Sequence, residues 1–189
     1  FMCSFNDING IPASGNRYLL HDILRGEWGY DGMMVSDWGS IQQMIPHGYS
    51  ADLSQAAGQA INAGVDMDME GHAYETHLKK LVEDGKVDMK TVDEAVRNVL
   101  RLKYRLGLFD NPYVDEKNSR RFYAPASLEA ATKAVEDCAV LLKNDNALLP
   151  LKSGVRVLVT GPMANAHHDQ SGTWSFDLEK SRCVTPLEA

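Results

Sequence analysis

The feature that most constrains this 189-residue chain is the alternation of short apolar runs with longer amphipathic stretches. Met33–Val35 is one such run, bounded by Gly32 before it and by Ser36 and Asp37 after it. A run of this kind is typical of a strand buried in a parallel sheet. The stretch before it, Arg17–Trp28, has apolar residues at helical spacing. Phe1–Phe5, before that stretch, is another predicted strand. Strand, helix and strand in this order predict a βαβ unit, and therefore an α/β fold with a parallel sheet.

The same alternation continues along the chain. The predicted helices are Arg17–Trp28 with Asn16 as its cap, Asp52–Ala63, Ala73–Glu83, a helix that starts at Asp88 or at Thr91 and ends near Leu106, and Ser127–Glu136 with Ser127 as its cap. The further predicted strands are Val65–Met69 and Val155–Thr160. Gly39–Ser50 is predicted as a loop. Thr185–Ala189 has the pattern that opens a helix.

Asp37 directly follows the Met33–Ser36 strand, and Trp38 and Gly39 come next. In α/β folds, ligands bind just beyond the carboxyl ends of the strands, so Asp37 lies where a catalytic carboxylate would lie. The indole of Trp38 offers an apolar plate on which a sugar ring can pack. An Asp after a strand is also a common helix cap or turn residue, so the pattern alone leaves both interpretations open.

Several motifs accompany this segment along nearly the whole chain. They are Met2-Cys3-Ser4-Phe5-Asn6, Leu24-Arg25-Gly26-Glu27-Trp28-Gly29, Gly32–Gly39, Gly64-Val65-Asp66-Met67-Asp68-Met69, Leu106–Val114, Val140–Asp145 and Leu148–Leu151. Together and in this order they resemble glycoside hydrolase family 3, most closely its β-glucosidases. Members of that family have a (β/α)8-type barrel followed by an α/β sandwich domain, and they cleave β-linked sugars with retention.

The resemblance implies an organisation in three parts. We expect residues 1–107 to be the C-terminal part of the barrel, 108–154 to be a linker with a connecting helix, and 155–189 to be the start of the sandwich domain. Both ends of the chain look cut, and family members are several times longer. The expectation is therefore a piece of such an enzyme, inactive by itself.

The resemblance also implies roles for individual residues. Asp37 corresponds to the nucleophile, and Trp38, Met2, Phe5 and Trp174 correspond to residues that contact the sugar or support the nucleophile. Many relatives have Tyr in place of Phe5, so the nucleophile here has one hydrogen-bond donor fewer. The alternatives are plain barrel core for Met2 and Phe5, and a Trp174 packed on its own domain.

A retaining glycosidase needs a second carboxyl group roughly 5–5.5 Å from the nucleophile as its acid/base. In relatives of this two-domain type, a Glu far along the second domain supplies that group. Asp169, Asp177 and Glu179 do not match its motif. The acid/base residue is therefore expected outside this chain.

The expected activity is that of a retaining exo-β-glucosidase acting through a covalent glycosyl-enzyme on Asp37. One alternative is the same mechanism on another β-glycoside, as in a β-xylosidase or a β-N-acetylglucosaminidase. The other alternative is a non-catalytic carbohydrate-binding piece.

Two polar clusters are candidate metal sites. His167–Asp169 places potential ligands next to each other, where they rarely face one ion, so a solvated loop is the favoured interpretation. Asp66, Asp68 and Glu70 lack the rest of a calcium loop and are interpreted as polar residues at the end of a strand. No metal or organic cofactor is expected.

Charge and hydropathy limit the partners. The chain has 26 acidic and 19 basic residues and a formal net charge of −7, which argues against nucleic acid and anionic membranes as partners. No apolar run approaches the ~18 residues of a membrane span, and no signal-peptide pattern is visible. A periplasmic or secreted location is expected from the resemblance alone, and the sequence leaves the oligomeric state open.

The chain has three cysteines, Cys3, Cys138 and Cys183, which are far apart in the sequence. The absence of a C-x-x-C motif argues against zinc binding and thioredoxin-type chemistry. Cys3 and Cys138 lie in apolar runs and are predicted to be small buried residues.

Overall fold

The structure, a computed structural model, describes residues 1–117 and 123–189. The chain divides into two compact units, Phe1–Arg120 and Arg121–Ala189. In the described residues of the first unit, the elements are β1 (Asp7–Ile8), β2 (Ile11–Pro12), a 3-10 helix (Ala13–Gly15), a π-helix (Tyr18–Glu27), α1 (Ser40–Gln43), α2 (Leu53–Ala63), α3 (Ala73–Glu83) and α4 (Met89–Arg105).

Three extended segments of the first unit lie side by side and parallel. Met2 pairs with Val35 and Val35 pairs with Met67, each through a single parallel bridge. The N–H of Cys3 donates to the carbonyl of Val35 at 2.9 Å, and the N–H of Ser36 donates to the carbonyl of Met67 at 2.9 Å. The spatial order of the segments is therefore their order in the chain.

The α/β prediction holds only in part. Extended segments alternate with helices as expected. The one sheet in the described part of the chain, however, is the hairpin of β1 and β2, whose strands have two residues each. The predicted strands Phe1–Phe5, Met33–Ser36 and Val65–Met69 are too long, because each contributes one bridged residue rather than a ladder.

The helices α2, α3 and α4 agree with the predictions to within a residue or two at each end. A carboxylate oxygen of Asp52 accepts a hydrogen bond from the N–H of Gln55 at 2.8 Å, as a capping side chain should. Asp88 caps α4 in the same way, through the N–H of Lys90 at 2.9 Å. Gly64 ends α2 at φ 109°, in a region that favours glycine.

The helix predicted over Arg17–Trp28 is a π-helix over Tyr18–Glu27. Its wider winding shows in the bond from the N–H of Trp28 to the carbonyl of Ile23, five residues back. Apolar spacing cannot separate the two windings over so few turns. The predicted cap is present, since the amide oxygen of Asn16 accepts from the N–H of Leu19 at 3.1 Å.

The β1–β2 hairpin, the 3-10 helix Ala13–Gly15 and α1 are short elements of the first unit that the sequence does not predict. Asn9 and Gly10 both have positive φ, 55° and 76°, and they form the turn of the β1–β2 hairpin. The loop predicted over Gly39–Ser50 contains the one-turn helix α1.

The core of the first unit lies between the extended segments and the helices α2, α3 and α4. Alanines of α2 let the neighbouring elements approach closely. The core cluster consists of Cys3, Leu20, Leu24, Met34, Ile41, Met44, Ala56, Ala57, Ala60, Ile61, Ala63, Val65, Ala73, Leu81, Val87 and Ala95. Burial of this apolar surface is the main stabilising contribution to the unit.

The second unit contains α5 (Pro125–Cys138) and three short 3-10 helices, Asp145–Ala147, Asp169–Ser171 and Lys180–Arg182, among its described residues. Ser127 does not cap α5, because the helix already begins at Pro125, whose fixed φ suits a first helical position. Cys138 is exposed, contrary to the prediction, since α5 has no buried residue.

The predicted strand Val155–Thr160 is not formed in the described part of the second unit. Val155, Val157 and Leu158 are exposed, Leu158 by 87%, and Val159 is half-buried. A strand needs a hydrogen-bonded neighbour, and no ladder reaches this segment among the described residues.

The segment 185–189 carries a reciprocal capping arrangement. The N–H of Thr185 donates to the Glu188 carboxylate at 2.8 Å, and the N–H of Glu188 donates to the Thr185 hydroxyl at 3.3 Å. This is the hydrogen-bond pattern of a capping box, but the structure has a turn over residues 186–188 and not the predicted helix. These bonds to Thr185 hold the pKa of Glu188 below its usual value.

Candidate active site

Asp37 follows the middle one of the three parallel segments, at its carboxyl end. Its side chain is neither fully buried nor fully exposed. One carboxylate oxygen accepts a hydrogen bond from the N–H of Trp38 at 2.6 Å. Among the described residues, this is the one hydrogen bond to the carboxylate. Its other oxygen is therefore open to a ligand.

The backbone of Asp37 is held more firmly than its side chain. Its carbonyl accepts a hydrogen bond from the hydroxyl of Ser36 at 2.9 Å and another from the N–H of Ser40 at 3.0 Å. Ser36 itself is fully buried. The chain therefore reaches Asp37 from a fixed position in the core.

A tight turn follows Asp37 and leads into α1. Gly39 has φ 64°, a conformation that residues with a Cβ rarely adopt. Its N–H donates to the carbonyl of Met69 at 2.8 Å, which ties the turn to the third extended segment.

Asp66 belongs to the third extended segment, and its side chain is largely buried. Its carboxylate accepts hydrogen bonds from Arg25 at 2.7 Å, from the N–H of Met34 at 2.7 Å and from Asn98 at 2.9 Å. Burial raises the pKa of Asp66, while these three donors oppose that shift. Each of these three hydrogen bonds joins Asp66 to another part of the fold, which indicates a structural role.

Asp68 acts at the start of α3. One oxygen accepts from the N–H groups of Ala73 at 2.7 Å and of Tyr74 at 3.3 Å. The other oxygen is buried and lacks a hydrogen-bond partner among the described residues. Gly71 covers it so closely that a Cβ at that position would lie 2.5 Å from the oxygen.

Cys3 and two serines form a buried polar group beneath the turn. The hydroxyls of Ser14 and Ser40 are 2.8 Å apart. Burial raises the pKa of the Cys3 thiol to about 11, although the nearby Ser14 lowers that pKa in part. Cys3 is therefore buried, as the sequence predicts.

The other predicted site residues of the first unit, Met2, Phe5 and Trp38, lie in or next to the extended segments. Met2 pairs with Val35 on the neighbouring segment, and half of its surface is exposed. Trp38 is 55% exposed, so its ring is accessible to a ligand. Phe5 is half-buried.

Trp174 belongs to the second unit. It packs edge to face on Phe176, with ring centroids 5.8 Å apart, and it is 64% exposed. In the neighbouring loop, His167 bonds the carbonyl of Cys183 at 2.7 Å and His168 contacts Asp169. Across residues 1–117 and 123–189, no three His, Cys, Asp or Glu side chains form a group that could hold a metal ion.

Sequence reasoning missed the residues that fix the candidate nucleophile, namely Ser36, Gly39 and Met69. Gly39 carries a visible signal, since a glycine just after a strand-end carboxylate indicates a turn. Ser36 and Met69 carry none, because their contacts join positions 33 residues apart.

Models of known protein families match most of the chain. Residues 1–102 match the Glycosyl hydrolase family 3 N terminal domain. Residues 139–189 match the Glycosyl hydrolase family 3 C-terminal domain.

Two curated relatives show the range of names among similar proteins. A "Periplasmic beta-glucosidase" of Salmonella typhimurium is 40% identical over 98% of this chain and 25% of its own length. A "Putative beta-xylosidase" of Formosa agariphila is 36% identical over 86% of this chain and 22% of its own length.

Solved structures resemble the chain over nearly all its length. A mutant β-glucosidase from Listeria innocua, in complex with laminaribiose, superimposes with a TM-score of 0.80 and 36% identity. The match covers 99% of this chain and 26% of that structure. The chain thus spans about a quarter of the length of the relatives that it matches.

Within the described residues, no helix has the length and apolar character that a membrane span requires.

Proposed function

The chain belongs to glycosyl hydrolase family 3, and from that premise we propose that it is part of a retaining β-glycosidase in which Asp37 is the nucleophile. The observation that supports this role is the placement of Asp37. It is a partly exposed carboxylate at the end of the middle parallel segment, with one oxygen open and its backbone fixed on both sides.

In the proposed first step, an oxygen of Asp37 attacks the anomeric carbon of the sugar. The bond from that carbon to the leaving oxygen breaks, and an acid outside this chain protonates the leaving group. Water then attacks the same carbon and gives its proton to that acid, which the first step left deprotonated, and the Asp37 carboxylate is released. Two displacements at one carbon return the original β configuration.

The proposed substrate is a terminal β-linked glucose, and the enzyme removes it from the end of a glycoside. The 40% identity to a protein named a β-glucosidase supports this choice. A β-xyloside is the second candidate, because a similarly related protein is named a β-xylosidase. A non-catalytic carbohydrate-binding role is the remaining alternative.

The proposed sugar contacts are Trp38, Met2, Phe5 and Trp174. The exposure of Trp38, Met2 and Trp174, and the partial exposure of Phe5, support contact with a ligand. We assign no metal or organic cofactor to the reaction, because hydrolysis through a carboxylate pair needs none.

The wider organisation is also a proposal. Residues 1–107 would be the C-terminal part of a (β/α)8-type barrel, 108–154 the linker and connecting helix, and 155–189 the start of the α/β sandwich domain. A periplasmic or secreted location is supported by the name of the Salmonella relative.

The decisive test is Asp37→Asn in the active protein that carries this chain. The amide has nearly the same size but lacks the charge that attacks the anomeric carbon. We expect kcat for an aryl β-glucoside to fall by at least about 10³-fold with KM changed far less, as for an interaction made in the transition state. Steady-state kinetics with both enzymes give this comparison.

The matched control is Asp93→Asn, the same chemical change on α4. It should leave kcat unaltered. In the wild-type protein, a 2-fluoro-glucoside should label the peptide that contains Ser36-Asp37-Trp38, as mass spectrometry can show. A label on another carboxylate, or near-normal turnover by Asp37→Asn, would remove Asp37 from the mechanism.

A further inference from the structure

We propose that Ser36 is a positioning residue for the Asp37 nucleophile, and this inference rests on the proposed function. Ser36 does not face the substrate. It is fully buried, and it acts through the backbone of the residue that follows it.

The hydroxyl of Ser36 bridges two neighbouring segments. It accepts a hydrogen bond from the N–H of Met69 at 2.8 Å and donates one to the carbonyl of Asp37 at 2.9 Å. A serine hydroxyl can fill both roles at once, since it has one proton and two lone pairs. The side chain thus continues the connection between the segments beyond the Val35–Met67 bridge.

Met69 holds the turn from its other side as well. Its carbonyl accepts a hydrogen bond from the N–H of Gly39 at 2.8 Å. The N–H and the carbonyl of Met69 therefore bind the chain just before and just after the Asp37–Trp38 pair. We call these two bonds, to the Ser36 hydroxyl and to the Gly39 N–H, the Met69 clamp.

The clamp matters because little else holds the carboxylate itself. The one hydrogen bond shown for it among the described residues comes from the adjacent N–H of Trp38, which moves with the same turn. Its orientation is consequently set by the backbone of residues 36–39. A nucleophile has to be held within about 0.5 Å of its productive position, and a 1 Å displacement can cost about 10²-fold in rate.

Loss of the hydroxyl would release both partners. The N–H of Met69 and the carbonyl of Asp37 would each lose one partly buried hydrogen bond, while the carbonyl would keep the N–H of Ser40. The expected result is a folded protein with a looser turn.

The test is Ser36→Ala in the active protein, with kcat, KM and the rate of inactivation by a 2-fluoro-glucoside as readouts. We expect kcat and the inactivation rate to fall about 10- to 100-fold, with KM and the affinity for glucose within about twofold of wild type. A purely structural role would lower the melting temperature without this division between kcat and KM.

Ser50→Ala is the matched control. Ser50 is also buried, and its hydroxyl bonds the side chain of Gln59 on α2 and no residue of the 36–39 turn. Its loss should lower stability to a similar extent and leave both rates unchanged. An equal loss of rate in Ser50→Ala would overturn the proposal.

If Ser36→Ala does not fold, Ser36→Cys replaces it, because a thiol has a similar shape and is a weaker donor. A kcat within twofold of wild type in the folded variant overturns the proposal, and a reduced kcat with unchanged KM supports it. Labelling of Asp37 in the wild-type protein distinguishes a failure of this inference from a failure of the proposed function. If Asp37 is labelled and Ser36 proves indifferent, only this inference fails, whereas a label elsewhere removes the proposed function too.

Discussion

At the scale of single residues, the carboxylates after the parallel segments differ in what they contact. Asp66 is occupied by Arg25, Asn98 and the N–H of Met34. Asp68 is occupied by the start of α3. Asp37 accepts from its own neighbour only, within the described chain, and this is why we propose it as the carboxylate that meets a substrate.

Cys3 gives a residue-scale prediction that does not depend on activity. Because its thiol is buried and its pKa is raised to about 11, it should resist iodoacetamide at pH 8 in the folded protein. Exposed Cys138 should react under the same conditions. Mass spectrometry of the alkylated peptides measures both, and all three cysteines should react in guanidinium chloride.

The sign of the pH dependence follows from the same shift. The folded state holds the thiol proton more tightly than the unfolded chain does. This contribution to stability is therefore complete below the unfolded pKa, near 9, and is lost as pH rises towards 11. Alkylation of native Cys3 as fast as of Cys138 would contradict the buried placement.

Sequence reasoning at this scale found residue types but not their long-range partners. The strand-end position of Asp37 is visible in the local pattern. The hydroxyl bridge of Ser36 is not, because it depends on where Met69 lies in space. Cys138 was mispredicted because an apolar neighbourhood in sequence need not be covered by another element.

At the scale of elements, the helices are easier to predict than the extended segments. Asp52 and Asp88 each mark the beginning of a helix, and the structure shows the corresponding bonds. Capping is a local interaction, so a sequence window contains all of it. The extended segments were predicted less well, because their bridges join residues more than 30 positions apart.

The cap of α2 gives an element-scale prediction. Asp52→Ala removes the acceptor for the N–H of Gln55 and should lower the free energy of unfolding by about 1 kcal/mol. Asp52→Asn keeps an oxygen acceptor and should lose much less. Urea denaturation of both variants supplies the comparison, and equal losses would show that the hydrogen bond does not stabilise the helix.

At the scale of the whole molecule, this chain provides a candidate nucleophile without an assigned acid/base partner. We expect the 189-residue chain, expressed by itself, to give no detectable hydrolysis of an aryl β-glucoside. A retaining mechanism needs both carboxyl groups roughly 5–5.5 Å apart. The measurement is product release over hours, beside a longer protein that contains the same residues.

Turnover by the isolated chain comparable to that of the longer protein would contradict this expectation. It would mean that a carboxylate within the chain acts as the acid. Asp169, Asp177 and Glu179 would then be replaced one at a time by the corresponding amides to find it.

The parallel segments have a further consequence for how the first unit folds. The bridge Met2–Val35 spans 33 positions and the bridge Val35–Met67 spans 32 (35 − 2 and 67 − 35), so each step of assembly closes a crossover of nearly the same length. The entropy lost on closure grows only logarithmically with length, and doubling a flexible crossover adds about 0.6 kcal/mol. The segments can therefore join one after another in chain order, and either crossover can lengthen at its surface while the turn that carries Asp37 keeps its place.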